Sequence, residues 1–355
     1  MTNKTPKLIT LVGLSGSGKS TYAETFDEYV IVASDKIRET IYGSRRIQDN
    51  PALVFEIAHK SIVQNLHSGR NVVFDATNLR SKDRRQLLDM VKKAVPDARC
   101  ECHVIVRPVL DCVENDSERV FKVGTDVIVY KQLHKFQIPY KEEGWDEIKL
   151  IPPEGYYFDE FNLESNCKSF LNQAGIDFDQ HTPHHNLTLL EHCVSHERFI
   201  ENIVCEKIEN ETNTEEDIRM FNASLLHDYG KLFTHTVDKE TGYWHYFGHA
   251  EIGAYKLLEH CLRDNDWNNH DKLMELEHLR EEYEYEMQNI LGIVFYVNYH
   301  MLPFDWSTDK IKNKYRKAFG EEKFNNLMLM HEADKQGKDM TKRLKLDGGD
   351  DGEAV

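Results

Sequence analysis

No stretch of the 355-residue sequence approaches the roughly 18 consecutive apolar residues of a membrane-crossing helix; the longest apolar run is Ile290 to Val297. The seven cysteines are odd in number and form no Cys-x-x-Cys pair, which argues against a disulfide framework and against a cysteine zinc site. The apolar segment near the N-terminus runs into a glycine-rich loop rather than a small-residue cleavage site, so no secretory signal is read and a reducing cytoplasm is the expected setting. An excess of positive charge is also missing. The 44 Lys+Arg against 61 Asp+Glu leave a net charge of −17, which argues against bulk, sequence-independent wrapping of nucleic acid but leaves room for a local basic groove.

The charge is divided unevenly. Up to Leu150 there are 23 basic against 21 acidic residues, whereas residues 151–355 hold 21 against 40; 4 of the 18 histidines precede residue 151 and 14 follow it. The hydrophobic pattern changes at the same place. Strands are expected at Leu8–Leu14, Tyr29–Ala33, Asn71–Phe74, Glu101–Val106 and Glu147–Ile151, alternating with helices, which implies a parallel sheet covered on both faces with ligands at the C-terminal strand ends. After Leu187 only helical periodicity remains, over 187–210, 215–227, 249–263, 270–300 and 308–335. The expected fold class is therefore α/β plus all-α, with one domain over 1–160, a linker over 161–180, a helical domain over 181–340 and an acidic, disordered tail over 341–355.

Gly13-Leu14-Ser15-Gly16-Ser17-Gly18-Lys19-Ser20, followed by Thr21, fits G-x-x-x-x-G-K-[ST] between a strand and a helix. Glycines let backbone N–H groups turn inward around a phosphate chain; Lys19 would reach the terminal phosphates of ATP and Ser20 would hold Mg²⁺. Asp35 and Arg38 follow the second strand, where a carboxylate can take a proton from an attacking hydroxyl and an arginine can grip an anionic acceptor. Asp75, Thr77 and Asn78 follow the third strand as further acceptor contacts, ahead of Arg80, Lys82, Arg84 and Arg85. Blander readings stand beside these: Asp35 as a helix N-cap, and Arg84–Arg85 as a solvated helix face. Arg119 is placed as a lid arginine over the polyphosphate, or else an ordinary surface residue.

The segments GLSGSGKST, SDKIR, VVFDATNLRSKDRR, ERVFKVGTDVI and FQIPYKEEGWDEIKLI, in this order over roughly residues 7–151, closely resemble the P-loop kinase domain of the 5′-polynucleotide kinases of phage and bacterial end-healing enzymes. The resemblance implies that Lys19 and Ser20 bind ATP and Mg²⁺. It makes Asp35 the general base for a polynucleotide 5′-OH, Arg38 the ligand of the acceptor phosphate and Arg119 the lid arginine, with Asp75 in the family's DxTN element. The lid departs from the family, since Glu114, Asp116 and Glu118 stand at neighbouring basic positions.

The second half carries His227-Asp228 within LLHDYGK, read as an apolar helix closed by Gly230. His192 lies 35 residues before His227, and His249, His300 and Asp334 lie 21, 72 and 106 residues after Asp228. Imidazole and carboxylate ligands drawn from several helices suit Mn²⁺, Fe, Co²⁺, Ni²⁺ or Zn²⁺, and such an ion can activate water and neutralise a phosphate. Thr188 and Glu191 read as a capping box for the helix of His192. The ordered set NLTLLEH, LLHDYGK, YFGHAEIGA, NYH and HEADKQGK resembles the HD phosphohydrolase superfamily over about 180–340. That resemblance implies metal ligation by His192, His227, Asp228 and Asp334. It implies a second metal position or phosphate contact at His249 and His300, and a phosphate-binding Lys231. His184, His185 and His196 stay outside this ligand set.

Together the two halves suggest an end-healing enzyme acting on RNA or DNA strand ends, with a polynucleotide ligase as the partner that follows and no membrane. One alternative is a small-molecule or nucleotide kinase joined to an HD nucleotidase. Another is a regulatory ATP-binding module whose helices dock a partner.

Overall fold

The computed structural model of the chain describes residues 5–45, 47, 49–118, 126–182, 187–264 and 277–337; Arg119, His184, His185 and the expected tail lie outside them. The chain divides into two compact units, Met1–Asp159 with Leu262–Met287, and Glu160–Cys261 with Gln288–Val355.

The first unit is built on five parallel strands, β1 (Lys7–Val12), β2 (Val30–Ala33), β3 (Val72–Asp75), β4 (Arg99–Ile105) and β5 (Glu147–Ile151), in the order β2-β3-β1-β4-β5. Leu8, Ile9, Leu11 and Val12 of β1 are all buried, the near-continuous apolar run that a strand covered on both faces requires. Its described helices are α1 (Lys19–Ala23), α2 (Ser34–Tyr42), α3 (Pro51–His67), α4 (Ser81–Ala94), α5 (Val109–Glu118) and α6 (Asp126–Leu133). Because β1 lies between β3 and β4, the strand order reverses at its C-terminal end, the place where open α/β sheets hold their ligands. The five expected strands are present. The first stops at Val12, two residues earlier than the pattern suggested, because the glycine-rich loop begins there. A short antiparallel pair joins β6 (Tyr156–Phe158) to the strand Leu262–Asp264.

The second unit is mainly helical: α7 (Lys168–Ala174), α8 (Leu189–Glu209), α9 (Glu215–Ser224), α10 (His249–His260), α11 (Glu277–Tyr299, of which Gln288 onward lies in this unit), α12 (Asp309–Phe319) and α13 (Glu321–Gln336). Helix α8 packs on α9 and α13, and the three helices bury Cys193, Ile200, Val204, Met220, Ala223, Leu327 and Met330. Thr188 starts α8 with the expected capping box, its hydroxyl accepting from the Glu191 amide while the Glu191 carboxylate accepts from the Thr188 amide.

Three local differences from the expected pattern have physical causes. Residues 161–180, expected as a linker, contain α7 and bury Leu163, Cys167 and Leu171, so they are packed. The helical pattern over 308–335 is broken at Gly320, which takes φ 81°. A small hairpin, Thr236–Val237 with Trp244–His245, interrupts the helices, its turn held by the Asp238 carboxylate accepting from the Glu240 and Thr241 amides.

Candidate functional site

The first site begins where β1 ends. Gly16 has φ 80°, and a Cβ there would collide with the Cys112 carbonyl oxygen; Gly18, with φ 94°, is the N-cap of α1. Only glycine takes these conformations at no steric cost. Side chains remote in sequence hold the loop. Gln132 accepts from the Ser15 amide at 2.7 Å and donates to Ser15 Oγ at 2.9 Å, and Asn115 donates to the Gly16 carbonyl at 3.0 Å. Lys19 is buried, and its ammonium donates to the Leu14 carbonyl at 2.6 Å, which keeps a positive charge against the loop. The Ser20 hydroxyl donates to Asp75 Oδ2 at 2.8 Å. A hydroxyl and a carboxylate side by side next to a phosphate loop are the oxygen donors Mg²⁺ takes, with water and phosphate completing its shell.

Helix α2 starts directly after β2, which brings Asp35 and Arg38 to the same sheet edge. Arg38 Nη1 donates to Asp35 Oδ1 at 2.9 Å. The N-cap of α2 is Ala33, with no side-chain cap, and Asp35 lies in the first turn, so the N-cap reading of Asp35 fails. Arg38 is buried and its Nε has no acceptor among the described residues, leaving a donor for an anionic group. Lys19, Ser20, Asp35, Arg38, Asp75 and Thr77 line one cleft. Asn78 is different: it is buried with φ 44°, and its Nδ2 donates to the Leu11 carbonyl at 2.8 Å, so it braces the loop instead of facing an acceptor. Arg84 is not on a solvated face. It is buried, donates to the Asn78 and Leu79 carbonyls at 3.0 Å each, and pairs with Glu143. Asp116, one of the three acidic lid positions, is buried as well.

The second site gathers residues from five places in the helical unit. His192 lies in the first turns of α8, His227 and Asp228 in the turn after α9, His249 at the start of α10, His300 just past α11 and Asp334 near the end of α13. The HD dipeptide thus follows a helix that ends at Ser224, earlier than its apolar pattern suggested. Gly230 is not a left-handed cap: a Cβ on it would collide with the His249 carbonyl oxygen and lie 2.8 Å from the Gly253 amide nitrogen. Its role is to let α10 approach, which brings His249 to Asp228.

Asp228 is the hub. Its Oδ2 lies 3.2 Å from His192 Nε2 and 3.4 Å from His227 Nε2, while its Oδ1 lies 3.2 Å from His249 Nε2 and 3.6 Å from His300 Nε2. Asp334 Oδ1 is 3.0 Å from His192 Nε2. In His227, His249 and His300, Nδ1 sits 2.8, 2.8 and 2.7 Å from the carbonyl oxygen three residues back. A carbonyl only accepts, so Nδ1 carries the proton and the Nε2 lone pair faces inward, the tautomer a metal ligand needs. The ligand atoms of His192, His227, Asp228 and Asp334 lie within 4.8 Å of one another, as do those of Asp228, His249 and His300. This nitrogen and oxygen donor set is one that could hold a metal ion, with Asp228 common to both groups. Burial lowers the proton affinity of His227 and His249. Burial alone would raise the Asp228 carboxyl, but Lys231 and the surrounding imidazoles hold it well below the usual range. The Lys231 ammonium lies 2.6 Å from Asp228 Oδ2 and donates to Gln180 Oε1 at 2.8 Å.

Residues 8–136 match the family described as an AAA domain. The fold of the first unit, a parallel sheet with flanking helices and a phosphate loop after β1, is P-loop kinase-like. None of the curated proteins matches the chain. Solved structures of a Pnkp1/Rnl/Hen1 complex and of a Pnkp1/Rnl/Hen1 RNA repair complex are similar at 29% and 28% identity, over 31% and 37% of this chain and 38% and 44% of theirs, with TM-scores of 0.28 and 0.33. A gluconokinase from Sinorhizobium meliloti is 20% identical over 42% of this chain and 85% of its own, with a TM-score of 0.30. The chain spans less than half the length of the first two. Among the described residues, no helix is long and apolar enough to cross a membrane.

Around the phosphate loop of the first unit, the sequence pattern gave no sign of Gln132 and Asn115, which lie 117 and 99 residues from the groups they hold. In the helical unit it left out His196, whose ring stacks on His227 at 4.1 Å and 21° and whose Nε2 lies 3.0 Å from the Met330 carbonyl oxygen. Its spacing of four from His192 was the available signal.

Proposed function

We propose that the chain heals nucleic-acid ends, phosphorylating polynucleotide 5′-OH groups in the first unit and removing 3′-phosphate or 2′,3′-cyclic phosphate in the second. The observation that carries the reading is that Asp35 and Arg38 line the same cleft as Lys19 and Ser20. In that cleft the acceptor oxygen bonds to the γ-phosphorus of ATP as the bond to the β–γ bridging oxygen breaks, and Asp35 takes the hydroxyl proton. Lys19 and the loop amides hold the phosphates, Ser20 and Asp75 would hold Mg²⁺, and Arg38 orients Asp35 and grips the acceptor's phosphate. In the second unit His192, His227, Asp228, Asp334, His249 and His300 would hold divalent transition ions, which when bound supply Lewis-acid charge and an activated water. Lys231, beside Asp228, would hold a phosphate oxygen.

The test incubates the protein with γ-labelled ATP and a 5′-OH oligonucleotide. Label is expected on the oligonucleotide with wild type, and Asp35→Ala is expected to lower kcat by about 10²- to 10⁴-fold. Label reaching only a nucleoside or sugar would replace the polynucleotide reading with a small-molecule kinase. RNA ending in a 2′,3′-cyclic phosphate is expected to be opened only with a transition metal present, and Asp228→Ala to abolish opening while sparing the kinase. A ligase acting on the healed ends is the partner this reading implies.

A further inference from the structure

The kinase cleft contains one aromatic ring among its described lining residues, Phe55 of α3, in a wall otherwise made of polar and charged groups and Ala76. The ring is half-buried. Its position is fixed from behind: it meets Phe74 of β3 edge-to-face at 6.2 Å and 87°, and His59 at 6.1 Å and 70°. Phe74 is fully buried, so this support is part of the sheet's core. Helix α3 is itself anchored at its start by Asn50, whose side chain accepts from the Leu53 amide, with Pro51 in the first turn. An aromatic ring supported by the sheet's core, in the cleft that Asp35 and Arg38 also line, offers a surface on which a flat ring can stack.

We propose that Phe55 is a specificity-determining residue that stacks on the nucleobase of the acceptor's 5′-terminal nucleotide. The inference rests on the polynucleotide kinase reading. Stacking tolerates every base, because each presents a π-face, so Phe55 selects for a base without selecting which one.

The test compares wild type, Phe55→Leu and Phe55→Trp on two acceptors, a normal 5′-OH oligonucleotide and one whose 5′-terminal nucleotide lacks its base. For Phe55→Leu a rise of about 5- to 100-fold in acceptor KM is expected on the normal acceptor, with the KM for ATP unchanged. Phe55→Trp is expected to restore the wild-type KM. On the abasic acceptor wild type and Phe55→Leu should be equal. Equal losses on both acceptors, or a shifted KM for ATP, would overturn the proposal in favour of a packing role. Unchanged kinetics in Phe55→Leu would overturn it as well. A wild-type protein that labels no oligonucleotide defeats the kinase reading first, and the inference with it.

Discussion

Arg84 and Glu143 form a bidentate pair with both side chains fully buried, Nε to Oε2 at 2.9 Å and Nη2 to Oε1 at 2.6 Å. The same guanidinium donates to the Asn78 and Leu79 carbonyls, and the Trp145 indole donates to Glu143 Oε2 at 2.7 Å. The pair therefore ties the loop after β3 to the segment before β5. Removing one partner strands a buried charge, so Glu143→Ala is expected to destabilise the first unit by about 3–5 kcal/mol, whereas an apolar replacement of both partners costs much less. Denaturant titration of the single and double variants checks this.

Gly230 sets the distance between the HD dipeptide and α10. Gly230→Ala places a methyl group against the His249 carbonyl, a backbone atom that cannot rotate away. The expected result is about 1–3 kcal/mol of destabilisation and weaker metal binding at the His249–His300 position. Metal content per protein, measured after dialysis, should fall before the helical unit unfolds.

Gln132 belongs to no phosphate-binding motif, yet it makes two hydrogen bonds to Ser15. Gln132→Ala is expected to raise the KM for ATP by about 5- to 30-fold, the equivalent of two ordinary hydrogen bonds, with the acceptor KM little changed. An unchanged KM for ATP would show that the loop holds its shape without this side chain.

Glu101 is buried, which alone would raise its carboxyl, but hydrogen bonds with His103, Lys7 and Arg99 hold it well below the usual carboxylate range. A depressed carboxylate contributes stability above its unfolded value of about 4.3 and loses it as pH falls through the folded value. Stability of the first unit should therefore drop as the pH is lowered below about 4.3, and Glu101→Gln should flatten that part of the profile in thermal melts. A profile unchanged by the substitution would sink the assignment.

On the proposed function, chelation is expected to separate the kinase from the phosphatase. After metal removal, Mg²⁺ alone is expected to restore phosphoryl transfer from ATP, while phosphate removal should return only with a transition ion, because imidazole nitrogens suit such ions and Mg²⁺ prefers oxygen. Return of both with Mg²⁺ alone would contradict the nitrogen-rich set around Asp228.

Much of this was legible in the chain itself. The phosphate loop is a contiguous pattern whose glycines answer to local backbone geometry, and the central strands β1, β2 and β3 announce themselves by short, mostly apolar runs. Ligand types in the helical half were legible too, since His227-Asp228 and the spaced histidines need no fold to be noticed. What the sequence could not carry were the long-range relations: Gln132 reaching Ser15, Arg84 turning inward to Glu143, Gly230 making room for α10, and Phe55 entering the cleft. The sequence by itself determined which chemical groups the protein has and which local turns they occupy, because those depend on neighbours a few residues apart. Only the tertiary structure decided which groups meet, because burial and packing join segments that are not neighbours along the chain, and a side chain's partner follows from that packing and not from its position in the chain.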